Sequence, residues 1–317
     1  MANFALAVTR FGFRALQALS PDLAGEAAFR LFCRTPSLRP KGAKAKAAHA
    51  AGSLWLKNAE RIAIRLANGR CARAYRINGG ARGQRKRYLV THGWGSGMAY
   101  MTDLIAMLAK DGAEIIALDF PGHGISGGRS LHMGMAVEAI AAAQDRLGRF
   151  DAAIGHSFGG AALMVSATGI LPQIHKLEAE KIVTIGSPSE MAWLFHDFGR
   201  MIGLGRQAQA ALERKVQRVT GRKLADFDVG TSAGRLAVPV LVVHAEDDKE
   251  VSAHHARRYA ASGENVRLFW ANSFGHRRII GAEPVLQEIK SFLDAAPGKS
   301  DAEIVSLFEL PVRRASL

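Results

Sequence analysis

Apolar positions along the chain follow two periods, and the places where one gives way to the other predict its elements. From residue 88 onward, Tyr88–Thr91, Glu114–Leu118, Phe150–Ile154, Lys181–Ile185, Val238–Val243 and Val266–Trp270 read as short apolar strands. Helical periodicity lies between them, over Met98–Lys110, Leu131–Leu147, the run after Ser157 and Ala253–Ala261. A closing helix has Pro284 in its first turn and runs to Leu293. Strands separated by helical crossovers imply a parallel sheet, because a tight turn cannot join parallel neighbours. Ahead of them, Arg61–Leu66 and Cys71–Ile77 alternate apolar with polar around Asn68-Gly69, a hairpin signal that would begin the sheet antiparallel.

Two segments break this rhythm. Residues 2–35 read as helical, with Phe4, Val8, Phe11, Ala15 and Leu19 on one face and Arg10, Arg14 and Gln17 on another. Ser20-Pro21-Asp22 is an N-cap with Pro at the first helical position, opening a second helix through Phe32. Between Pro188 and Arg235 no strand signal appears; aromatic and Met residues lead into a charged helix over Leu212–Val219. The predicted organisation is a basic helical extension (1–58), a core (59–187 and 236–296), a helical insertion (188–235) and a tail (297–317).

Composition narrows the class. With 317 residues and 48% apolar content, the chain can bury one large core. Cys33 and Cys71 have no metal-type spacing and are expected as free thiols in a reducing compartment. No apolar run approaches the ~20 residues of a spanning helix. Phe4 to Val8 precede Arg10, the reverse of a secretory signal, so a cytoplasmic location is expected.

The net charge is +14, and it is unevenly spread: through Val90 there are eighteen Lys or Arg and three acids, and beyond it twenty-four and twenty-five. The front helices are expected to pack on the core. The second reading is an amphipathic anchor in peripheral contact with the inner face of an anionic membrane, helped by Arg39, Lys41, Lys44 and Lys46. No nucleic-acid motif accompanies the charge, so no nucleic-acid partner is expected. Nothing in the sequence indicates an oligomeric state. Arg82 to Arg87 reads as a solvated basic loop.

The candidate chemistry centres on Gly155-His156-Ser157-Phe158-Gly159, a serine between an apolar strand and a helix. A second G-x-S-x-G, around Ser126, lies in a Pro/Gly loop with no helix directly after it. The Ser157 turn resembles the nucleophile elbow of the α/β-hydrolases. Three further segments carry the resemblance over roughly Glu60–Leu293: His92-Gly-Trp94-Gly-Ser-Gly97, Asp119-Phe-Pro-Gly-His-Gly-Ile-Ser126, and the late pair formed by His244-Ala-Glu-Asp-Asp248 and Gly275-His276.

That resemblance implies an eight-stranded, mostly parallel sheet with helices on both faces and a small helical cap. It also implies the chain order serine, acid, histidine, which leaves His254, His255 and His276 as candidate bases. His276 is favoured because it follows a strand end, whereas His254 and His255 fall inside a helix. The family's H-G-x-x-D-x-x-V pattern places the acid at Asp248, with Asp247 in reserve; Ala245 stands where the pattern has Gly. Oxyanion donors are expected from the N–H groups of Trp94 and Phe158. His92, His123 and His156 are expected to brace the loops, and no metal or other cofactor is expected.

Met191, Trp193 and Phe195 could line an acyl pocket, or could simply seat the insertion on the core. The implied reaction is serine-dependent cleavage of a small-molecule carboxylic ester with a small or medium acyl chain. A thioesterase, C–C bond hydrolase, acyltransferase or cofactor-free perhydrolase would use the same residues, and a non-catalytic ligand-binding protein is the alternative of another class. Ser157 argues against dehalogenase and epoxide hydrolase chemistry, which in this fold uses an elbow aspartate.

Overall fold

The computed structural model describes residues 2–37, 39–78, 85–295 and 304–306. Its sheet is built from β1 (Glu60–Arg65), β2 (Cys71–Ile77), β3 (Arg87–Thr91), β4 (Glu114–Asp119), β5 (Ala152–His156), β6 (Ile182–Ile185), β7 (Val240–His244), β8 (Val266–Trp270) and β9 (Ile304–Ser306). The spatial order is β1-β2-β4-β3-β5-β6-β7-β8-β9. β2 runs antiparallel to β1 and to β4, and every other neighbouring pair is parallel. The expected eight strands are therefore present with a ninth, contributed by the tail, where β9 extends the edge beside β8. The rest of the tail lies outside the described residues.

Helices α1 (Ala2–Leu19), α2 (Pro21–Phe32) and α3 (Ala43–Trp55) precede the sheet. Within and after it come α4 (Thr102–Ala109), α5 (Met133–Leu147), α6 (Phe158–Thr168), α7 (Ala192–Ile202), α8 (Arg206–Thr220), α9 (Ala253–Ala260), α10 (Gly275–Arg278) and α11 (Glu283–Asp294). Alternating strand residues supply the two faces. Leu89, Ile116, Leu118 and Val242 meet α5, α6 and α9 on one side, while Val90, Ile115, Ala117 and Val243 meet α4 and α11 on the other. The central strands are buried along their whole length, as a parallel sheet covered on both faces requires.

Arg87 departs from the expected solvated loop. It opens β3, is 5% exposed, and its Nε lies 2.5 Å from Glu114 Oε2. The hairpin pairs Glu60 with Arg76 through Arg65 with Cys71, its Asn68-Gly69 forming the 3₁₀ turn Ala67–Gly69. The helix expected over Met98–Lys110 is divided: Met98–Tyr100 is a 3₁₀ turn, and α4 starts only at Thr102. The Met98 N–H donates to Asp119 Oδ1 instead of to a helical carbonyl.

The insertion contributes α7 and α8, and its strand-like pairing is a single bridge between Glu190 and Asp228. These helices pack on α2, where Phe32 stacks on Phe195 at 4.1 Å and meets Phe198 edge-on at 5.1 Å. Two ion pairs lie alongside, Asp22 with Arg214 at 2.6 Å and Glu26 with Lys215 at 3.0 Å. The turn between α7 and α8 is held by α1: Gln17 donates to Gly203 O and accepts from Gly205 N–H, and Arg10 Nε donates to Met201 O.

α1 itself is rotated from the expected packing. Its contact residues are Phe13 and Leu16, whereas Phe4, Val8, Phe11 and Leu19 face outward. Both faces of α1 are apolar, so periodicity could show that a stripe existed without showing which one turned inward. Among the described residues no helix is long and apolar enough to cross a membrane.

Candidate active site

The strand β5 ends in a reversal that only a narrow set of residues permits. Ser157 has φ 52° and ψ −122°, a conformation costing an L-residue on the order of 1–3 kcal/mol. A Cβ at Gly155 would lie 2.6 Å from the Gly160 backbone, and one at Gly159 would lie 2.6 Å from His92 O. The glycines two residues either side of the serine are thus required by backbone approach. Ser157 N–H donates to Ile185 O at 2.8 Å, tying the turn to β6 and leaving the hydroxyl on its outer side. α6 then runs inward with ten buried residues, so burial along its whole length fixes the turn at its head.

The loop after β3 lies against this serine. A Cβ at Gly93 would sit 3.1 Å from Ser157 Cβ, so the backbone of this loop passes directly beside the serine. The Trp94 and Phe158 N–H groups have no protein acceptor among the described residues. Their rings meet edge-on at 5.6 Å.

Two buried histidines hold the loop. His92 accepts from Phe120 N–H at Nε2 and donates to Gly93 O through Nδ1, while His123 accepts from Gly95 N–H and donates to Pro121 O. Each ring therefore has its tautomer set by its partners. Burial pushes both down to about 4, so both stay neutral near pH 7.

Asp119, visible in the sequence only as one residue of a Pro/Gly loop, anchors the loop's far end. Its two oxygens accept from Met98 N–H and Ile125 N–H at 2.9 Å each. Burial pushes its carboxyl up, against the pull of those two donors. Ser126, the second G-x-S-x-G serine, is buried and donates to Asp119 O, a structural role.

Three side chains from distant points of the chain then meet. His276 lies in the short helix α10, just beyond the end of β8. Its Nε2 is 3.0 Å from Ser157 Oγ, and its Nδ1 is 2.7 Å from Asp248 Oδ2. Asp248 also accepts from Glu250 N–H and Val251 N–H at Oδ1. Burial raises the Asp248 carboxyl, but the His276 hydrogen bond and those two N–H donors outweigh it and hold it below the usual carboxylate range. Asp247, the reserve candidate, is exposed and accepts from Ser273 N–H, away from the imidazole. His255 is buried against Ser189 and His254 is exposed, so neither reaches the serine.

His156 and His244 complete the setting. His156 Nε2 donates to His276 O at 2.9 Å, and burial pushes its ring down to about 3. His244 Nε2 donates to Val251 O at 3.0 Å, bracing the loop that carries Asp248. On the solvent side, Glu250 pairs with Arg277 at 2.8 Å and brings Oε2 within 4.0 Å of His276 Nε2. The sequence held no local signal for that placement, since Glu250 and His276 are joined only by the fold.

Ser157 and His276 open into a cavity of about 420 Å³, a size ordinary for small-molecule sites. Met191, Trp193 and Phe195 all line it. Part of the lining was not expected: Phe29, Leu31 and Phe32 come from α2, in the N-terminal extension. Their helical spacing was visible, but the cavity they help to line was not. Glu250, Arg34, His132 and Thr220 are polar residues of this otherwise mostly apolar lining.

A family model described as "Alpha/beta hydrolase family" matches residues 88–276. Solved structures of similar fold include an esterase of Pyrococcus furiosus, 18% identical over 82% of this chain and 95% of that one, with a TM-score of 0.56. An esterase from Rhodococcus sp. is 16% identical over 74% and 98%, with a TM-score of 0.55. An esterase from Exiguobacterium antarcticum is 14% identical over 74% and 99%, also at 0.55. At these identities the likeness is one of fold. No curated protein sequence matches the chain.

Proposed function

The chain belongs to the alpha/beta hydrolase family, and from that premise we propose that it cleaves carboxylic esters with a small or medium acyl chain. A serine hydroxyl is a weak nucleophile near neutral pH and needs a base, a group that orients the base, and donors for the oxyanion. In this reading Ser157 Oγ attacks the ester carbonyl while its proton passes to His276 Nε2. Asp248 holds the imidazole with its proton on Nδ1 and stabilises the imidazolium, without itself taking a proton. The Phe158 and Trp94 N–H groups receive the oxyanion.

Collapse of the tetrahedral intermediate expels the alkoxide, which takes the proton from His276 and leaves an acyl group on Ser157. Water, deprotonated by His276, then attacks the acyl carbon. The acid departs and the hydroxyl is restored. Met191, Trp193 and Phe195, together with Phe29 and Phe32 of α2, hold the acyl chain by removing its apolar surface from water.

The observation that carries this reading is the unbroken run of hydrogen bonds from Asp248 through His276 to Ser157, ending at the mouth of an apolar cavity. A fluorophosphonate probe with peptide mapping, together with a series of chromogenic esters of increasing chain length, tests it. The expected result is a label on Ser157, burst kinetics, and a preference for short or medium chains. A label elsewhere, or no turnover of any ester in the series, overturns it.

A further inference from the structure

The first helix turns an apolar stripe to solvent. Phe4, Val8, Phe11 and Leu19 are 76%, 55%, 75% and 83% exposed, and Leu23, 59% exposed, carries the stripe onto α2. The body is contacted through the other side of the helix, by Phe13 and Leu16. Scattered exposed apolar residues need no explanation, but a contiguous stripe on one helix marks a contact surface.

The extension that carries this stripe has charge almost entirely of one sign. Residues 1–58 contain nine Lys or Arg and two acids. Both acids are taken up within the protein, Asp22 by Arg214, and Glu26 by Lys215 and Arg30. Arg14, Arg34, Arg39, Lys41, Lys44 and Lys46 have no acidic partner among the described residues. α1 itself has no acidic residue.

We propose that α1 docks this protein on the surface of an anionic phospholipid bilayer. Phe4, Val8, Phe11 and Leu19 enter the boundary between headgroups and acyl chains, and Arg14 with the unpaired cations of the extension meets lipid phosphates. Charge decides between occupants. A second copy would bring the same cations against this stripe, at a net charge of +14 on each partner, whereas an anionic lipid surface neutralises them. A single convex helix also offers no groove for a partner's side chains, and a fluid surface needs none. The helix lies on the membrane and does not cross it. The proposal is independent of the ester reading.

Flotation of the full chain with phosphatidylcholine vesicles, with and without phosphatidylglycerol, tests it. The protein is expected to float with the anionic vesicles, and the bound fraction to fall at least about tenfold without phosphatidylglycerol or at high salt. A Phe4→Gln/Phe11→Gln double variant, which keeps good helix formers at both exposed positions, should lose about tenfold or more of the binding at an unchanged melting temperature. Arg14→Gln should lose roughly fivefold. The proposal is overturned if the full chain stays unbound with anionic vesicles, or if the double variant floats as well as the wild type. It is also overturned if light scattering shows a dimer that the double variant dissociates while flotation is unchanged.

Discussion

The helix that follows the reactive serine and the helix that begins the chain use apolar residues in opposite ways. α6 has ten buried residues among eleven, and its position fixes the turn at its head. α1 buries Phe13 and leaves four large apolar side chains in solvent. Both are apolar segments of ordinary length, yet one is a foundation and the other a face. Apolar content therefore says that a surface will be covered, and the surrounding fold says by what. Around α6 the cover is the sheet and α5. Around α1, by the proposal above, it is lipid.

Substitutions separate the two regions by kind as well as size. Ser157→Ala is expected to lower kcat for a chromogenic ester by about 10⁴ to 10⁶-fold, with folding intact by circular dichroism. A fall of less than about a hundredfold would mean that another nucleophile does the work. Asp248→Asn should cost roughly 10³ to 10⁴-fold in kcat, because the imidazole loses the partner that sets its tautomer. In α1 neither chemistry nor tautomers are at stake. Phe13→Ala should lower stability by about 3 kcal/mol in chemical denaturation, since it empties a buried site. Phe11→Gln, two residues away on the outward stripe, should change it by no more than about 0.5 kcal/mol. If those two substitutions cost the same, the orientation of α1 described here is wrong.

Acid should act through the buried histidines. His92, His123 and His156 are pushed down to about 4, 4 and 3 by burial, from an unfolded value near ~6.5. Between those values the unfolded chain binds more protons than the folded one, so stability falls as pH falls. Their contribution is whole above about pH 6.5 and is lost progressively toward pH 4. Melting temperature measured from pH 7.5 to 4.5 should decline across that window. A flat profile would mean that the three rings are not neutral and buried as described.

What could be read in the sequence follows the same division. Ser157 was legible because an elbow is a local demand: Gly155 and Gly159 are needed within five residues, and the strand and helix flank them. Asp248 and His276 were legible through chain order and strand ends, which the resemblance supplied. The pairing of Arg87 with Glu114, the approach of Glu250 to His276, and the wall built by Phe29 and Phe32 were not legible. Each joins residues far apart in the chain, and no period in either segment records the other. α3 was missed as a separate element because Ala43–Trp55 is rich in Ala and lacks a clear apolar stripe. The ninth strand was missed because β9 is three residues long and is defined by its neighbour β8.

Gln17 reaches across from the first helix and satisfies both a carbonyl and an amide of the α7–α8 turn with one side chain. That single amide makes the outer helix a splint for the segment that walls the cavity. The first helix is thereby pinned to the segment that supplies Trp193, Phe195 and Phe198 to the cavity lining.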